Sequence, residues 1–337
     1  MGSARIPAMT ENIPDALLLT ASDLMPLRSN LDAMEGALAA VEAAVQAHHE
    51  GRIRQYNVQD RRPGEFEGIR VSLSAGDGLY SGMRIFGNPP HTRAFMLFEG
   101  ETRQMICLMD YGVLNSMRVG AIAGVAGRHL APKGAKTMGL IGSGWQAGPQ
   151  VVAMLKGVPS LELIKVYSPT QANREAFAET MSSQMGKRIE PVGSIADAID
   201  DADIVDLCAP GHHDVREPLF DGEWVKPGAL VVSMASAQCT PEFVRSARVV
   251  ATNWYVMAEE TKPKAPYDTL IQEGSFKKDD LTELGSVLTG KADPRRSPSD
   301  RVLYELTGGN FHDLFVATWG YEWARSQGVG MTFDVRS

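Results

Sequence analysis

Residues 137–147 read Thr-Met-Gly-Leu-Ile-Gly-Ser-Gly-Trp-Gln-Ala. A strand-sized apolar run enters Gly142-Ser143-Gly144 and passes directly into a helix-sized run, the order of elements that holds a dinucleotide's pyrophosphate. Gly142 permits the tight turn. Gly144 has no side chain to keep phosphates away from the N–H groups at the helix start, and Ala147, in the third glycine position, is small enough for the helix to pack on the strand. Such a string alone is a weak signal. Its context strengthens it, because a second apolar run, 161–167, follows about 20 residues on. The spacing predicts cofactor contacts at Gly142, Ser143, Gly144, Trp145 and Gln146.

The surrounding pattern agrees. Apolar runs at 137–141, 161–167, 189–192, 203–207, 229–234 and 249–252 alternate with helix-sized segments, which predicts a doubly wound α/β sheet with its ligand at the carboxyl ends of the strands. Upstream, Leu31, Met34, Leu38, Val41 and Val45 recur at helical spacing behind Asn30, a suitable N-cap. Between 52 and 110 the runs 69–73, 82–86, 93–98 and 104–109 are short and broken by Gly and Pro, which predicts a mostly antiparallel sheet. Segment 118–130 carries Gly120, Ala121, Ala123, Gly124, Ala126 and Gly127, so it reads as a helix with a small-residue surface joining two domains. An apolar final helix, about 311–326, is expected to return to the first domain.

At 337 residues the chain is long enough for two domains. Its 33 basic and 41 acidic residues give a net charge of −8, which argues against general affinity for nucleic acid or anionic membrane. Cys107, Cys208 and Cys239 sit in or beside apolar runs without metal-ligand spacing, so reduced core cysteines, no metal and a cytoplasmic protein are expected. The first residues lack a basic-then-apolar signal pattern, and no apolar run approaches the ~20 residues of a membrane span.

Several separated landmarks resemble the ornithine cyclodeaminase/mu-crystallin family. They are Asp110 through Arg118-Val119-Gly120-Ala121, the loop Gly142 to Ala147 with its Gln-Ala ending, Trp224-Val225-Lys226-Pro227-Gly228, Glu283-Leu284-Gly285, and Gly308 to Asp313. The resemblance implies an α/β fold with a substrate-binding and dimerisation domain, residues 1–131 with 309–337, and a Rossmann NAD(P)-binding domain, 132–308. It implies a homodimer acting on small α-amino or α-imino acids. In that family cations hold the substrate's α-carboxylate. Arg118 matches the central arginine, Arg84 falls where lysine is common, and Arg61 or Arg62 is the candidate for a third. Arginine at 84 keeps the charge but favours gripping over proton transfer. His91 lies on a loop that approaches the substrate entrance in relatives.

The pattern breaks after Gly228. Cyclodeaminases place an aspartate, their proposed general base, where this chain reads Ser233-Met234-Ala235-Ser236-Ala237-Gln238, so Ser236 or Ala237 takes the position. Tyr304-Glu305-Leu306 also replaces the family's Phe-Lys-Ser. At the carboxyl ends of the later strands, Cys208, Ala209 and Met234 are expected beside the cofactor. At the end of the second strand, Tyr167-Ser168-Pro169-Thr170 lacks the acidic residue that would select NAD. Ser168 and Thr170, with Asn173 or Arg174, suit a 2′-phosphate, so NADP is favoured over NAD. His212 and His213 stand near the nicotinamide side of the cleft and read as polar loop residues, with proton donation as the alternative. His48, His49 and His312 read as structural.

The leading expectation is an NAD(P)H-dependent reductase of small α-imino acids, with Arg84, Arg118 and Ser236 as its catalytic group. Two alternatives stand beside it: a cyclodeaminase, disfavoured by the missing base, and a catalytically silent NADP-dependent binder of small ligands.

Overall fold

The computed structural model describes residues 15–59, 70–76, 80–87, 93–209, 218–234, 239–259 and 265–335. The candidates Arg61, Arg62, His91, Ser236, Ala237, His212 and His213 lie outside them.

The first sheet is built from β1 (Ala16–Leu19), β2 (Ile53–Gln59), β3 (Arg70–Gly76), β4 (Tyr80–Phe86), β5 (Arg93–Glu99) and β6 (Met105–Asp110). β2 to β6 form an antiparallel meander, while β1 runs parallel to β6 at its far edge. The helix Leu31–His49 packs on the helices behind this sheet and meets the sheet itself at β2. Asn30 caps it as expected, its Oδ1 accepting from the N–H groups of Asp32 and Ala33.

The second sheet is parallel throughout. Its strands are β7 (Thr137–Ile141), β8 (Leu163–Tyr167), β9 (Arg188–Pro191), β10 (Ile204–Leu207), β11 (Leu230–Ser233), β12 (Arg248–Ala251), β13 (Leu281–Glu283) and β14 (Val302–Glu305). They lie in the order β13-β12-β14-β11-β10-β7-β8-β9. Successive side chains of one strand enter different cores, Leu230 and Val232 on one face and Val231 on the other. Burial on both faces explains why the central strands β7, β10 and β11 read as continuous apolar runs rather than alternating ones.

The helix Gly112–Leu130 links the two sheets and is buried along nearly its whole length. A Cβ on Gly120 would stand 2.5 Å from the carbonyl oxygen of Pro149, and one on Gly124 2.6 Å from that of Ala153. Only glycine lets this helix cross the backbone of Ala147–Gly157 so closely, and one apolar core therefore runs unbroken from Leu17 to Val302. The last helix, Asn310–Gln327, packs on Leu31–His49 and on β3 and β4, with Leu314 against Gly82 and Trp319 over Gly36. Beyond it β15 (Met331–Phe333) pairs with β1.

The structure corrects the sequence reading in several places, adding strands β2, β13 and β15 among others. The linking helix begins at Gly112 rather than 118, because Gly112, Asn115 and Ser116 disguise its first turns as loop. The parallel strand β1 and the four-residue strand β14 are too short to show a period, yet β14 occupies the middle of the second sheet, between β11 and β12. Among the described residues no helix is long and apolar enough to cross a membrane.

Candidate active site

The glycine loop leaves β7 at its carboxyl end. Gly142 has φ +118°, a conformation L side chains rarely adopt, and its N–H donates to the carbonyl of Tyr167 at 2.7 Å. A Cβ there would meet the Cys208 carbonyl oxygen at 2.8 Å. Gly144 differs, since a Cβ on it would meet nothing within 4 Å, so open space lies before the loop. Ser143 Oγ donates to Ser168 Oγ at 2.8 Å, tying the loop to the end of β8. Ala147 is fully buried, as the packing argument requires. On the same sheet edge Cys208 N–H donates to the Ile141 carbonyl, and Met234 Sδ lies 3.3 Å from the Gln150 amide nitrogen. Gly142 to Gln146, Ser168, Cys208, Ala209 and Met234 thus gather along one sheet edge. The open front of Gly144 and the buried Oε1 of Gln146, which has no hydrogen-bond partner among the described residues, fit a polar ligand at this loop.

Past β8, Thr170 precedes the helix Gln171–Met185, and Arg174 from its first turn donates Nη1 to the Ser168 carbonyl at 3.0 Å. The Arg174 guanidinium carbon stands 5.9 Å from the Tyr167 ring. Ser168, Thr170 and Arg174 accordingly sit together.

A second cluster forms where β4, the linking helix and the last helix meet. Arg84 and Arg118 converge on the carboxylate of Asp313, which is fully buried. Arg84 Nη1 reaches one oxygen, and Arg118 Nε lies 2.6 Å from the other. Arg118 also donates Nη2 to Asn115 Oδ1 at 3.0 Å, one helical turn back, and the Arg84 guanidinium stands 4.3 Å from the centre of the Phe86 ring. Tyr111 Oη donates to Asp313 Oδ1 at 3.1 Å. Burial, reinforced by Asp313, holds the Tyr111 hydroxyl protonated well above its ordinary range. The backbone at Gly308 runs against the Arg118 guanidinium, leaving no room for a Cβ. Two guanidinium groups held side by side present the kind of paired N–H donors that a carboxylate takes up.

The sequence reading paired Arg84 with Arg118 and gave Asp313 no role. Its partners lie 195 to 229 residues away, so no local spacing announces them; the one local signal was a charged residue on the apolar face opening the last helix.

Next to this cluster the Phe311 ring stacks on His48 and meets His312 at a tilt, each with its centroid 4.1 Å away. Burial, with Arg118 nearby, holds His312 well below the usual histidine range, and its Nδ1 accepts from Gly309 N–H at 3.1 Å. His48 is also lowered, by burial first, and Asn253 Nδ2 lies 3.1 Å from its Nδ1. His49 faces Glu283 at 3.7 Å. These contacts accord with the structural reading of all three. At the end of β14, Glu305 accepts from Tyr267 Oη at 3.0 Å, on the face turned toward the second core.

The ornithine cyclodeaminase/mu-crystallin family model matches residues 78–328. The chain is 30% identical over 239 residues to Delta(1)-pyrroline-2-carboxylate reductase from Bacillus cereus, covering 70% of this chain and 72% of that one. It is 24% identical over 344 residues to N-((2S)-2-amino-2-carboxyethyl)-L-glutamate dehydrogenase from Staphylococcus aureus, covering 95% and 99%. The structure of Thermococcus litoralis Delta(1)-pyrroline-2-carboxylate reductase in complex with NADH and L-proline superposes with a TM-score of 0.78 at 25% identity, covering 94% of this chain and all of that one. The family model spans well over half of the chain, and this chain belongs to the ornithine cyclodeaminase/mu-crystallin family.

Proposed function

We propose that this chain is an NAD(P)H-dependent oxidoreductase that reduces a small α-imino acid at its α-carbon. The observation that carries the reading is the convergence of Arg84 and Arg118 on the buried Asp313, which places two guanidinium groups together in a chain whose relatives include reductases of imino acids. Asp313, itself held by Tyr111 Oη, fixes both guanidinium groups, so little side-chain freedom is lost when a carboxylate binds. The loop 142–146 would hold the dinucleotide's phosphates, with Ser168, Thr170 and Arg174 beside its ribose, and Cys208, Ala209 and Met234 along its nicotinamide half. When bound, the nicotinamide supplies the hydride. The arginines then orient the imine carbon by its neighbouring carboxylate. Arg61, Arg62, His91 and Ser236 are further candidates for the substrate side.

Cyclodeamination is the runner-up. It needs a base at the substrate amine, and the carboxylate nearest the two arginines is engaged by both of them. NADP is the preferred dinucleotide on the strength of Ser168, Thr170 and Arg174. Residues 1–131 with 309–337 would form the substrate and dimerisation unit, and 132–308 the dinucleotide unit.

A homodimer is part of the same reading. On the sheet face away from the helices, Tyr56, Leu73, Met83, Met96 and Leu108 stand in one register row. Tyr56 is 57% exposed and Leu73 41%, an apolar stripe that a second copy would cover. Three buried, unpaired cysteines accord with a reducing, cytoplasmic setting. A screen of NADPH and NADH oxidation against cyclic and acyclic imines that carry an α-carboxylate tests the proposal. Turnover that requires the carboxylate supports it, and no oxidation with any such imine refutes it.

A further inference from the structure

Arg28 reaches the glycine loop from the other layer of the molecule. It follows the turn Met25–Leu27, just before the cap of the first long helix, and is 117 residues from Trp145. Its Nη2 donates to the Trp145 carbonyl, and its guanidinium carbon lies 3.6 Å from the centre of the indole ring. The same Nη2 stands 3.8 Å from where a Cβ on Gly148 would be, so the cation rests beside the first turn of Ala147–Gly157.

This placement is electrostatically incomplete. The start of a helix carries the positive end of its dipole, so a cation there is on the wrong side. Burial already presses the Arg28 pKa down, its Nε is buried without a partner, and no carboxylate pairs with it among the described residues. Stacking on Trp145 recovers part of the lost hydration. An anion in the open space before Gly144 would satisfy the helix start and the guanidinium at once.

We propose that Arg28 is a cofactor-binding residue, a cation lent by the N-terminal layer to the diphosphate of the dinucleotide, so that cofactor binding fastens that layer onto the glycine loop. The inference rests on the dinucleotide reading given above and adds to it a contact from outside the Rossmann sheet. It also gives Trp145 a role, since its exposed indole, 49% accessible, is the platform that aims the guanidinium.

The test is calorimetric titration of the whole protein with NADH and with NADPH, for the wild type, Arg28→Ala and Arg28→Lys, with thermal melts to verify folding. Arg28→Ala should weaken both dinucleotides by about tenfold to a hundredfold, the range for one charge-assisted hydrogen bond. Arg28→Lys should recover part of the loss, and the salt dependence of the Kd should be shallower in Arg28→Ala than in the wild type. A folded Arg28→Ala protein that binds both dinucleotides as tightly as the wild type, or more tightly, would overturn the proposal. A loss confined to NADPH would overturn the diphosphate assignment in favour of the 2′-phosphate. If the wild type itself bound neither dinucleotide, the underlying reading of the loop would fail instead.

Discussion

Arg118 Nε and Asp313 Oδ1 lie 2.6 Å apart although 195 residues separate them, and this ion pair joins the helix between the two sheets to the helix that closes the chain. Asp313 has no solvent access, and among the described residues its charge is balanced by Arg118 and Arg84. Asp313→Asn keeps the shape and removes the charge. Breaking a buried pair from one side typically costs about 3 kcal/mol, and a loss of that size is expected in denaturant melts, together with weaker substrate binding as the two guanidinium groups lose their anchor.

The two glycines of the loop should respond in opposite ways. Gly144→Asp enters open space, so the fold should survive, while its charge and bulk before the helix start should lower dinucleotide affinity by orders of magnitude. Gly142→Ala meets both a φ of +118° and the Cys208 carbonyl, and should lower stability by about 1–3 kcal/mol. Melting curves and calorimetry on the two variants separate these effects, and a stable Gly142→Ala protein would contradict the geometry.

Asp206 predicts a pH dependence. It stands in one register row with Leu140 and Val232, fully buried, and neither carboxylate oxygen has a hydrogen-bond partner among the described residues. Burial pushes its pKa from 3.8 up to about 7. An acid whose pKa is raised in the folded state holds its proton there longer than in the unfolded chain. Its contribution to stability is therefore intact below about pH 4 and is lost as pH rises toward 7. The full loss is on the order of 4 kcal/mol. Asp206→Asn should melt above the wild type at pH 8, with the gap narrowing at pH 5. An equal gap at both would show that Asp206 does not titrate in this window.

Arg174 and Ser168 test the choice of dinucleotide. Arg174→Ala should weaken NADPH by about tenfold and NADH by much less, because only NADPH carries the 2′-phosphate. Several-fold tighter binding of NADH than NADPH to the wild type would reverse the preference.

Leu73 tests the dimer. Leu73→Glu puts a charge into the outward apolar row of the first sheet, so light scattering should report a monomer where the wild type is a dimer. A monomeric wild type at micromolar concentration would remove this part of the reading.

What could be read from the sequence follows the range of the interactions. The loop from Gly142 to Ala147 and the cap at Asn30 are local, since each residue acts on neighbours a few positions away, and spacing alone locates them. Strands β7, β10 and β11 announce themselves because burial on both faces makes them largely apolar. Asp313 and Arg28 are invisible at that scale. Asp313 works through Arg84, Arg118 and Tyr111, and Arg28 through Trp145, all brought together only by the packing of the two sheets. Strand β14 is hidden in the sequence for a related reason: four residues, Val302–Glu305, have no period of their own and owe their place to β11 and β12.

The most direct test of the account is a single assay pair on the purified protein. NADPH or NADH oxidation is followed with a cyclic α-imino acid, for the wild type and Arg118→Ala, and ammonia release is followed with ornithine. The account predicts oxidation by the wild type, a fall in kcat/KM of about a hundredfold or more in Arg118→Ala carried mainly by KM, and background ammonia. Proline and ammonia formed from ornithine at enzymatic rates, with no reduction of the imine, would contradict it.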